Sequence, residues 1–480
     1  MVSSAAVLSL LLGIVLPAAQ ASSASPAPGR DDPAVVGSWG SQIDVGVVAI
    51  HAAVLYTGKV LLYGKIGDGP GSEAQVFDPA TETVTDVDVP FESRDVFCSG
   101  LSTLPDGRLF ITGGHLDPLG HQAGADYLTT FDPATSTWSV VGSLAVTRWY
   151  PTNVSMPDGT TLIFGGQIDG TTITKKMESY NPTAGTITTL PVSKRAALYP
   201  RAFVLPDGHV FMAGQPTVSS FFDPATNTWT DSASMSFRHT EGSWILLPGL
   251  QKVLVAGGVK RHATNTVETI DLSQPNPQWV STAPLNLARL DANLVTLPDG
   301  TDLLVGGGSG GQYTNPVKTA ELYDPSSDTW TEMAPQSALR IYHSTAVLLP
   351  DGRVLSAGSD SGLPEQYTAE IYSPPYLFHG VRPSIVAAPP TTAYGAQMTI
   401  TTLDAATIAK VTLLRLGTST HATDMEQRYL ELPFVPTEDG TGVVATAPAN
   451  ANIAPPGYYL MFLVNTAGVP SVAATVQVMP

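Results

Sequence analysis

The chain has 480 residues, of which 43% are hydrophobic and 13% charged, and it contains 44 glycines and 40 prolines. Its formal net charge of −18 argues against a nucleic-acid or anionic-membrane partner, because both bind basic protein surfaces. Low charge and many turn residues are typical of an all-β protein, and the length leaves room for two domains.

The N-terminal segment has the pattern of an export signal. Residues 4–19 form an apolar run, with Ala19-Gln20-Ala21 at its end. This pattern predicts a signal peptide over residues 1–21 and cleavage after Ala21. Residues 22–43 are rich in Ser, Ala and Pro, and we interpret them as a flexible leader. The apolar run is too short for a comfortable membrane span. We therefore expect a secreted protein, extracellular or cell-wall associated and without a membrane partner once processed; an uncleaved anchor is the alternative.

A hairpin pattern recurs seven times between residues 44 and 375. Asp-Gly turns between apolar runs supply the positive φ that two-residue hairpins require, and each following strand ends at a glycine. These turns lie at residues 106–107, 158–159, 207–208, 299–300 and 351–352, with weaker versions at 57–58 and 248–249. A second pattern, Phe-Asp-Pro-Ala-Thr or a relative of it, adds two more strands to each unit. Seven four-stranded units predict a seven-bladed β-propeller of the kelch type.

The residues eight positions before the hairpin aspartates share one register, and several of them have reactive side chains. They are Cys98, Tyr150, Tyr199, Asp291 and His343. The first strand of each blade lines the channel of a propeller, and equal offsets from one turn point the same way along a strand. We therefore expect these side chains to form a ring at one mouth of the channel.

Several of these residues have a structural and a functional interpretation. Cys98 is the only cysteine; such a residue usually packs as a small hydrophobe, but its channel register favours a functional role. Tyr199 packs or lies near a substrate, and Asp291 is expected to act as a cap or to form an ion pair with Arg289 rather than to bind substrate. Arg148 and Arg340 either hold tyrosinates or pair with carboxylates such as Asp95, whereas His115 and His121 are not expected to be metal ligands.

A tyrosine-histidine pair, Tyr342 and His343, together with a distant histidine supplies donors that copper favours. Here the sequence resembles a known family. Residues 97–100, 148–150, 340–344 and 421–428 resemble motifs of the galactose oxidase and glyoxal oxidase family of copper-radical oxidases. The resemblance extends from about residue 44 to the C-terminus, and it is closer on the glyoxal oxidase-like side, because the loop at residues 165–170 lacks the tryptophan that stacks over the radical in galactose oxidase.

The resemblance implies a cofactor made partly from the chain itself. Cys98 would be joined by a thioether to the ring of Tyr150, which would be a copper ligand and the radical site. Tyr342 would be the axial tyrosinate that takes the substrate proton, and His343 and His421 would be the imidazole ligands of one copper ion. The implied activity is oxidation of a primary alcohol, aldehyde or glycan by O₂ to the aldehyde or acid, with release of H₂O₂.

The kelch pattern stops near Ser373, and short Thr-, Val- and Pro-rich strands follow. This pattern predicts an immunoglobulin-like β-sandwich over residues 376–480. Because His421 belongs to that sandwich, one of its loops must reach into the propeller channel if the copper site is correct. The alternatives are a non-catalytic kelch propeller that binds glycans or proteins, and a structural cell-wall protein that keeps the ligands without turnover.

Overall fold

The computed structural model describes residues 31–65, 72–89, 95–116, 123–214, 217–360 and 364–480, together with Met1. The predicted signal peptide, apart from Met1, and His121 lie outside the described residues. A short helix and two short strands precede the repeats: α1 (Pro33–Val36), β1 (Ser38–Trp39) and β2 (Ile43–Asp44).

The first three blades contain two separate sheets rather than three. Their strands are β3 (His51–Val54), β4 (Val60–Lys65), β5 (Ser72–Asp78), β6 (Thr83–Val87), β7 (Gly100–Thr103), β8 (Leu109–Thr112), β9 (Ala125–Asp132), β10 (Thr137–Ser155), β11 (Thr161–Gln167), β12 (Lys176–Asn181) and β13 (Thr186–Ser193). The long strand β10 is the outer strand of blade two and then the inner strand of blade three, so that these blades form one seven-stranded sheet. Two register shifts in its pairing with β9 mark the change of blade.

The other blades are antiparallel sheets whose first two strands are connected by the predicted glycine turns, with Gly208 and Gly300 at φ of 89° and 94°. Their strands are β14 (Arg201–Val204), β15 (Val210–Ala213), β16 (Val218–Asp223), β17 (Thr228–Ser234), β18 (Ser243–Leu246), β19 (Lys252–Ala256), β20 (Val267–Asp271), β21 (Trp279–Ser281), β22 (Asn293–Thr296), β23 (Asp302–Val305), β24 (Thr319–Asp324), β25 (Thr329–Pro335), β26 (Ser344–Leu348), β27 (Val354–Gly358) and β28 (Thr368–Ser373). The prediction of a seven-bladed propeller is confirmed.

The described part of the N-terminal segment closes the propeller, so that residues 31–43 are not the flexible leader predicted over residues 22–43; residues 22–30 lie outside the described residues. Strands β1 and β2 pair antiparallel with β28, and Trp39 lies opposite Tyr372. Blade seven supplies only three strands of its own, so these residues provide its outer edge. The pairing satisfies backbone groups that β28 would otherwise expose.

A β-sandwich follows the propeller, as predicted, after a short 3₁₀ helix (Pro375–Phe378). One sheet has the order β29-β38-β37-β31-β34 and the other the order β30-β36-β35. The strands are β29 (Thr391–Ala393), β30 (Gln397–Thr401), β31 (Ile408–Arg415), β32 (Thr418–Thr420), β33 (Thr423–Asp424), β34 (Tyr429–Leu432), β35 (Phe434–Pro436), β36 (Gly442–Thr446), β37 (Gly457–Asn465) and β38 (Ala474–Met479), with a 3₁₀ turn at Ala405–Thr407. Among the described residues, no helix has the length and apolar character of a membrane span.

The hairpin β32–β33 of the sandwich enters the propeller. Strand β32 pairs with β3, the first strand of blade one, with Thr420 opposite His51. The apolar core is continuous across the domain boundary, since Val347 of blade seven packs in one cluster with Leu414 and Phe462 of the sandwich. The sandwich therefore presents the hairpin to the channel on a fixed, packed base.

In several blades a buried arginine or histidine pairs with a buried glutamate. In blades three, six and seven, an arginine at the start of the blade, within β10 in blade three and ahead of the first strand in the other two, meets a glutamate on the third strand. The nitrogen–oxygen distances are 2.6 Å for Arg148–Glu178, 2.6 Å for Arg289–Glu321 and 3.6 Å for Arg340–Glu370. Blade five uses His239 and Glu268 at 3.1 Å. Each of the three arginines, and His239 in blade five, also contacts a glycine carbonyl at the end of the second strand, namely Gly165, Gly306, Gly358 and Gly257. Arg148 and Arg340 thus pair with carboxylates.

Removal of one of these glutamates should destabilise the propeller strongly. The variant Glu321→Ala leaves the buried Arg289 unpaired, which typically costs about 3–5 kcal/mol. The matched control is Glu431→Ala, because Glu431 and its partner Lys410 are 53% and 37% exposed and such surface pairs contribute at most about 1 kcal/mol. Thermal unfolding followed by circular dichroism would measure both; equal melting temperatures for the two variants would contradict the role of the buried pair.

Candidate metal centre

A ring of residues with left-handed backbone surrounds one mouth of the channel. Their φ values are 55° for Cys98, 62° for Tyr150, 44° for Tyr199, 56° for Glu241, 57° for Asp291 and 63° for His343. Backbone hydrogen bonds connect neighbours in the ring, from Tyr150 N to Cys98 O and from Tyr199 N to Tyr150 O, both at 2.9 Å. Such φ values are unfavourable for residues with a Cβ, so each position is held by its surroundings.

The predicted ring is present, but the reason given for it, an equal position along the first strands, was wrong. Except for Tyr150, the ring residues precede the first strands instead of lying within them, and the shared left-handed turn gives them one orientation. Glu241 was missed because blade five has no hairpin aspartate from which to count: Gly249 stands at that position, since Leu250 N bonds to Leu247 O as Gly107 N bonds to Leu104 O.

The residues selected from the sequence converge at this mouth. The Tyr150 and Tyr342 hydroxyls are 2.9 Å apart, and Cys98 Sγ lies 3.4 Å from His421 Nε2. One ligand atom each from Cys98, His343 and His421 lies within 4.8 Å of the other two. The ring centroids of Tyr342 and His421 are 5.3 Å apart. The hairpin β32–β33 thus brings its histidine to the phenols of blades three and seven.

Both histidines direct Nε2 toward the cluster, because Nδ1 of each is hydrogen-bonded to another group. His343 Nδ1 lies 2.7 Å from Asp360 Oδ1 and donates to it, while its buried Nε2 has no hydrogen-bond partner among the described residues. His421 Nδ1 lies 2.6 Å from Thr420 Oγ1. That hydroxyl donates its one proton to Ile50 O at 2.9 Å, so Nδ1 must donate to it. An unprotonated Nε2 is the form that binds a metal.

Burial favours the neutral forms of the Cys98 thiol, the two phenols and the His421 imidazole. It raises the pKa of the Cys98 thiol and of the Tyr150 and Tyr342 phenols well above their usual values. For both phenols the nearby Cys98 adds to the effect. Burial also lowers the pKa of His421, and His343 lowers it further. A cation that bound here would have to displace phenolic protons but would find the His421 imidazole already neutral.

Cys98 and Tyr150 pack in one cluster with Trp149 and Tyr199. The Trp149 ring lies over Tyr150, with centroids 4.2 Å apart and planes at 33°. Tyr199 lies 4.9 Å from Tyr150, and its hydroxyl donates to Ser99 O at 2.8 Å. The missing tryptophan of residues 165–170 thus has a counterpart that comes from a different position.

Two other expectations for individual residues are settled by the geometry. The predicted Asp291–Arg289 ion pair is wrong, because Arg289 points into its own blade toward Glu321. Both Asp291 carboxyl oxygens are buried and lack a hydrogen-bond partner among the described residues. His115 lies beside Asp95, with nitrogen and oxygen 3.9 Å apart, and does not belong to the metal-capable group.

A cavity of about 670 Å³ opens onto the cluster. Its wall includes Tyr150, Tyr342, His343 and His421, and it extends past polar and aromatic side chains, among them Phe97, Trp149, Gln167, Tyr199, Glu241, Lys260, Gln312 and Tyr313. Tyr150, Tyr342, His343 and His421 therefore line a cavity that is large enough to admit a small molecule.

Sequence reasoning missed the residues that orient the cluster. Asp360 and Thr420 set the orientation of the two histidines, and Trp149 covers Tyr150. Trp149 and Thr420 are direct neighbours of residues that were selected, so adjacency was the available signal. Asp360 follows the glycine that ends a second strand, and no sequence pattern distinguished it.

Fold and site together define a β-propeller with a buried histidine- and tyrosine-lined metal-capable centre completed by a second domain. The family model Glyoxal oxidase N-terminus matches residues 72–233 and 250–376, and the model Galactose oxidase-like, Early set domain matches residues 382–478. The chain belongs to the galactose oxidase and glyoxal oxidase family of copper-radical oxidases.

Individual relatives agree with this assignment. A galactose oxidase of Gibberella zeae is 31% identical over 96% of this chain and 72% of its own length. An aldehyde oxidase GLOX of Vitis pseudoreticulata is 28% identical over 92% of this chain and 97% of its own. A solved structure of a fungal alcohol oxidase of the AA5 family in complex with copper has a TM-score of 0.83 and 26% identity, covering 93% of this chain and all of that one.

The hydroxyl of Thr420 should be required for full metal affinity. Thr420→Val removes the acceptor that fixes His421 Nδ1, and loss of such outer partners typically weakens metal binding about 10–100-fold. Thr420→Ser keeps the hydroxyl and should bind copper like the wild type. Isothermal titration of the metal-free proteins with Cu²⁺ would measure this, and equal affinities for the valine and serine variants would contradict it.

Proposed function

We propose that this protein is a copper-radical oxidase that converts a primary alcohol or an aldehyde, with O₂, to the aldehyde or acid and H₂O₂. The observation that carries the proposal is the convergence of two phenols, two imidazoles and one buried thiol, with the phenols and imidazoles lining a cavity. A propeller that only binds glycans or proteins has no need of this set in one place.

We propose Tyr150, Tyr342, His343 and His421 as the copper ligands. Two nitrogen and two oxygen donors suit the tetragonal coordination of Cu(II). The buried Nε2 of His343, which lacks a hydrogen-bond partner among the described residues, supports the fit because such a group is costly unless something binds it. The 2.9 Å separation of the two phenol oxygens brings both toward the same point.

We further propose a thioether between Cys98 Sγ and a ring carbon of Tyr150. The S–H and ring C–H bonds break, an S–C bond forms, and two protons and two electrons leave to O₂, which becomes H₂O₂. The shared cluster of Cys98 and Tyr150 and the bond from Tyr150 N to Cys98 O support this pairing. Sulfur donates electron density to the ring and thereby makes the phenol easier to oxidise.

In the proposed reaction the two tyrosines have different roles. Copper, when bound, supplies the one-electron couple that complements the tyrosyl radical. Tyr342 accepts the proton of the substrate hydroxyl, or of a hydrated aldehyde, and the Tyr150 radical takes a hydrogen atom from the adjacent carbon. The substrate loses two electrons and two protons in total, and O₂ accepts the same number as H₂O₂. Trp149, packed against Tyr150, would shield the radical.

The size and the lining of the cavity favour small hydroxylated substrates. Its volume of about 670 Å³ is in the range of small-molecule sites, and it offers the amides of Gln167 and Gln312 beside the aromatic rings of Phe97 and Tyr313. We also propose that residues 1–21 are a signal peptide and that the enzyme is secreted. N-terminal sequencing of the exported protein would test this point, and a start at Met1 would refute it.

The copper-loaded protein should form H₂O₂ from a primary alcohol or an aldehyde in air. Cys98→Ser should retain copper but lose activity by about 100-fold or more, because residues that act as a unit lose most of their function together. His421→Ala should lose copper while the propeller stays folded. A peroxidase-coupled assay with a panel of alcohols and aldehydes, together with metal analysis, measures both. Full activity of the serine variant would refute the radical.

Copper affinity should rise with pH between about pH 6 and 8. Burial raises the phenol pKa values of Tyr150 and Tyr342, so each is protonated in this range without metal, and each proton displaced by copper adds about a tenfold gain in affinity per pH unit. Tyr342→Phe should reduce the slope by one proton. Competition titrations at several pH values test this, and unchanged slopes would exclude Tyr342 as a ligand.

A further inference from the structure

Blade one contributes a buried histidine next to the proposed centre. His51 is the first residue of β3 and is completely buried. Its Nε2 accepts a hydrogen bond from the backbone N–H of Cys98 at 3.1 Å. Because Nε2 accepts, the ring proton must be on Nδ1. His51 does not bind the proposed metal through this nitrogen, since the nitrogen is committed to the Cys98 amide.

The His51 ring is held in place on two sides. It stacks on Tyr63 with centroids 4.3 Å apart and planes at 5°, and the Tyr63 hydroxyl lies 3.2 Å from Ser99 Oγ. In the sheet, His51 lies opposite Thr420, the residue that orients His421. The acceptor offered to Cys98 therefore has a fixed position.

Cys98 requires such an acceptor because its backbone conformation is unfavourable. It has a φ of 55°, which a residue with a Cβ rarely adopts. Its N–H bonds to His51 and its C=O accepts from Tyr150 N at 2.9 Å. The two hydrogen bonds fix the cysteine from both sides and set where its sulfur lies relative to the Tyr150 ring.

We infer that His51 is a positioning residue for the Cys98–Tyr150 cross-link, an inference that rests on the proposed function. Without its acceptor, the Cys98 N–H would be buried and unpaired, a state that proteins avoid. The peptide then rotates away from φ of 55°, and the sulfur leaves the tyrosine ring. Cross-linking, which forms the S–C bond and passes two electrons and two protons to O₂, becomes slow.

Two variants separate positioning from packing. His51→Phe keeps the flat ring against Tyr63 but has no acceptor, whereas His51→Gln keeps an acceptor at the place of Nε2 but loses the stacked ring. A packing role predicts that phenylalanine is the better replacement. A positioning role predicts that glutamine is the better one.

The first readout is cross-linking in the full-length protein after addition of Cu²⁺ in air. Peptide mass spectrometry follows the joined Cys98 and Tyr150 peptides, which together lose two hydrogens. The rate should fall roughly tenfold or more in His51→Phe, in line with the loss of one buried hydrogen bond, and it should stay near that of the wild type in His51→Gln. Copper affinity should be unchanged in both, because His51 is not a ligand.

The second readout needs no copper. Hydrogen exchange of the Cys98 amide, resolved with overlapping peptides in the metal-free protein, should be roughly tenfold or more faster in His51→Phe and close to wild type in His51→Gln. Melting temperatures of both variants verify the fold. Wild-type exchange and cross-linking in His51→Phe would overturn the inference. Slow cross-linking in a folded His51→Gln would overturn it as well, including when His51→Phe does not fold.

Failure of the proposed function gives a different result. If the copper-loaded wild type neither cross-links nor forms H₂O₂, the oxidase proposal fails, and the cross-linking role of His51 fails with it. The amide exchange measurement still decides whether His51 holds Cys98. If the wild type cross-links and the phenylalanine variant does so equally fast, only the inference about His51 fails.

Discussion

The ion pair between a buried arginine and a buried glutamate is the interaction on which the channel mouth depends. Arg148 reaches Glu178 on the third strand of its blade and also Gly165 O at the end of the second. The second and third strands are thereby tied to the part of β10 where blade three begins. Because an unpaired charge is so costly in the interior, this part of β10 has one arrangement, and Tyr150, two residues later, is held in its left-handed conformation.

The repeat of equivalent positions explains how distant parts of the sequence form one site. Blades two, three and seven each contribute ring residues in equivalent positions, and the seven-fold repeat directs them to a common axis. The sandwich contributes His421 because its hairpin extends the sheet of blade one. Neither domain contains the whole donor set, so the packed interface between them is a condition for the proposed chemistry.

Much of this could be predicted from the sequence, since regular turns and a constant repeat length determine the propeller. The registers of Cys98, Tyr150 and His343 were correct for the same reason. The ion-pair partner of Arg289 was wrong because a partner on another strand leaves no periodic signal. Glu241 was missed because Gly249 stands where most of the other hairpins have the aspartate from which the offset is counted. For residues 31–43 the flexible leader was also wrong: the outer strand of blade seven becomes visible only when the ends of the repeat meet.

The sequence by itself determined the fold class and which residue types could supply the centre, because turn chemistry and repeat spacing are local properties of the chain. Only the tertiary structure decided how those residues are oriented. The choice of histidine nitrogen depends on Asp360 and Thr420, the cover of Tyr150 depends on Trp149, and the conformation of Cys98 depends on His51. These are contacts between side chains and groups of other strands or loops, and packing determines them.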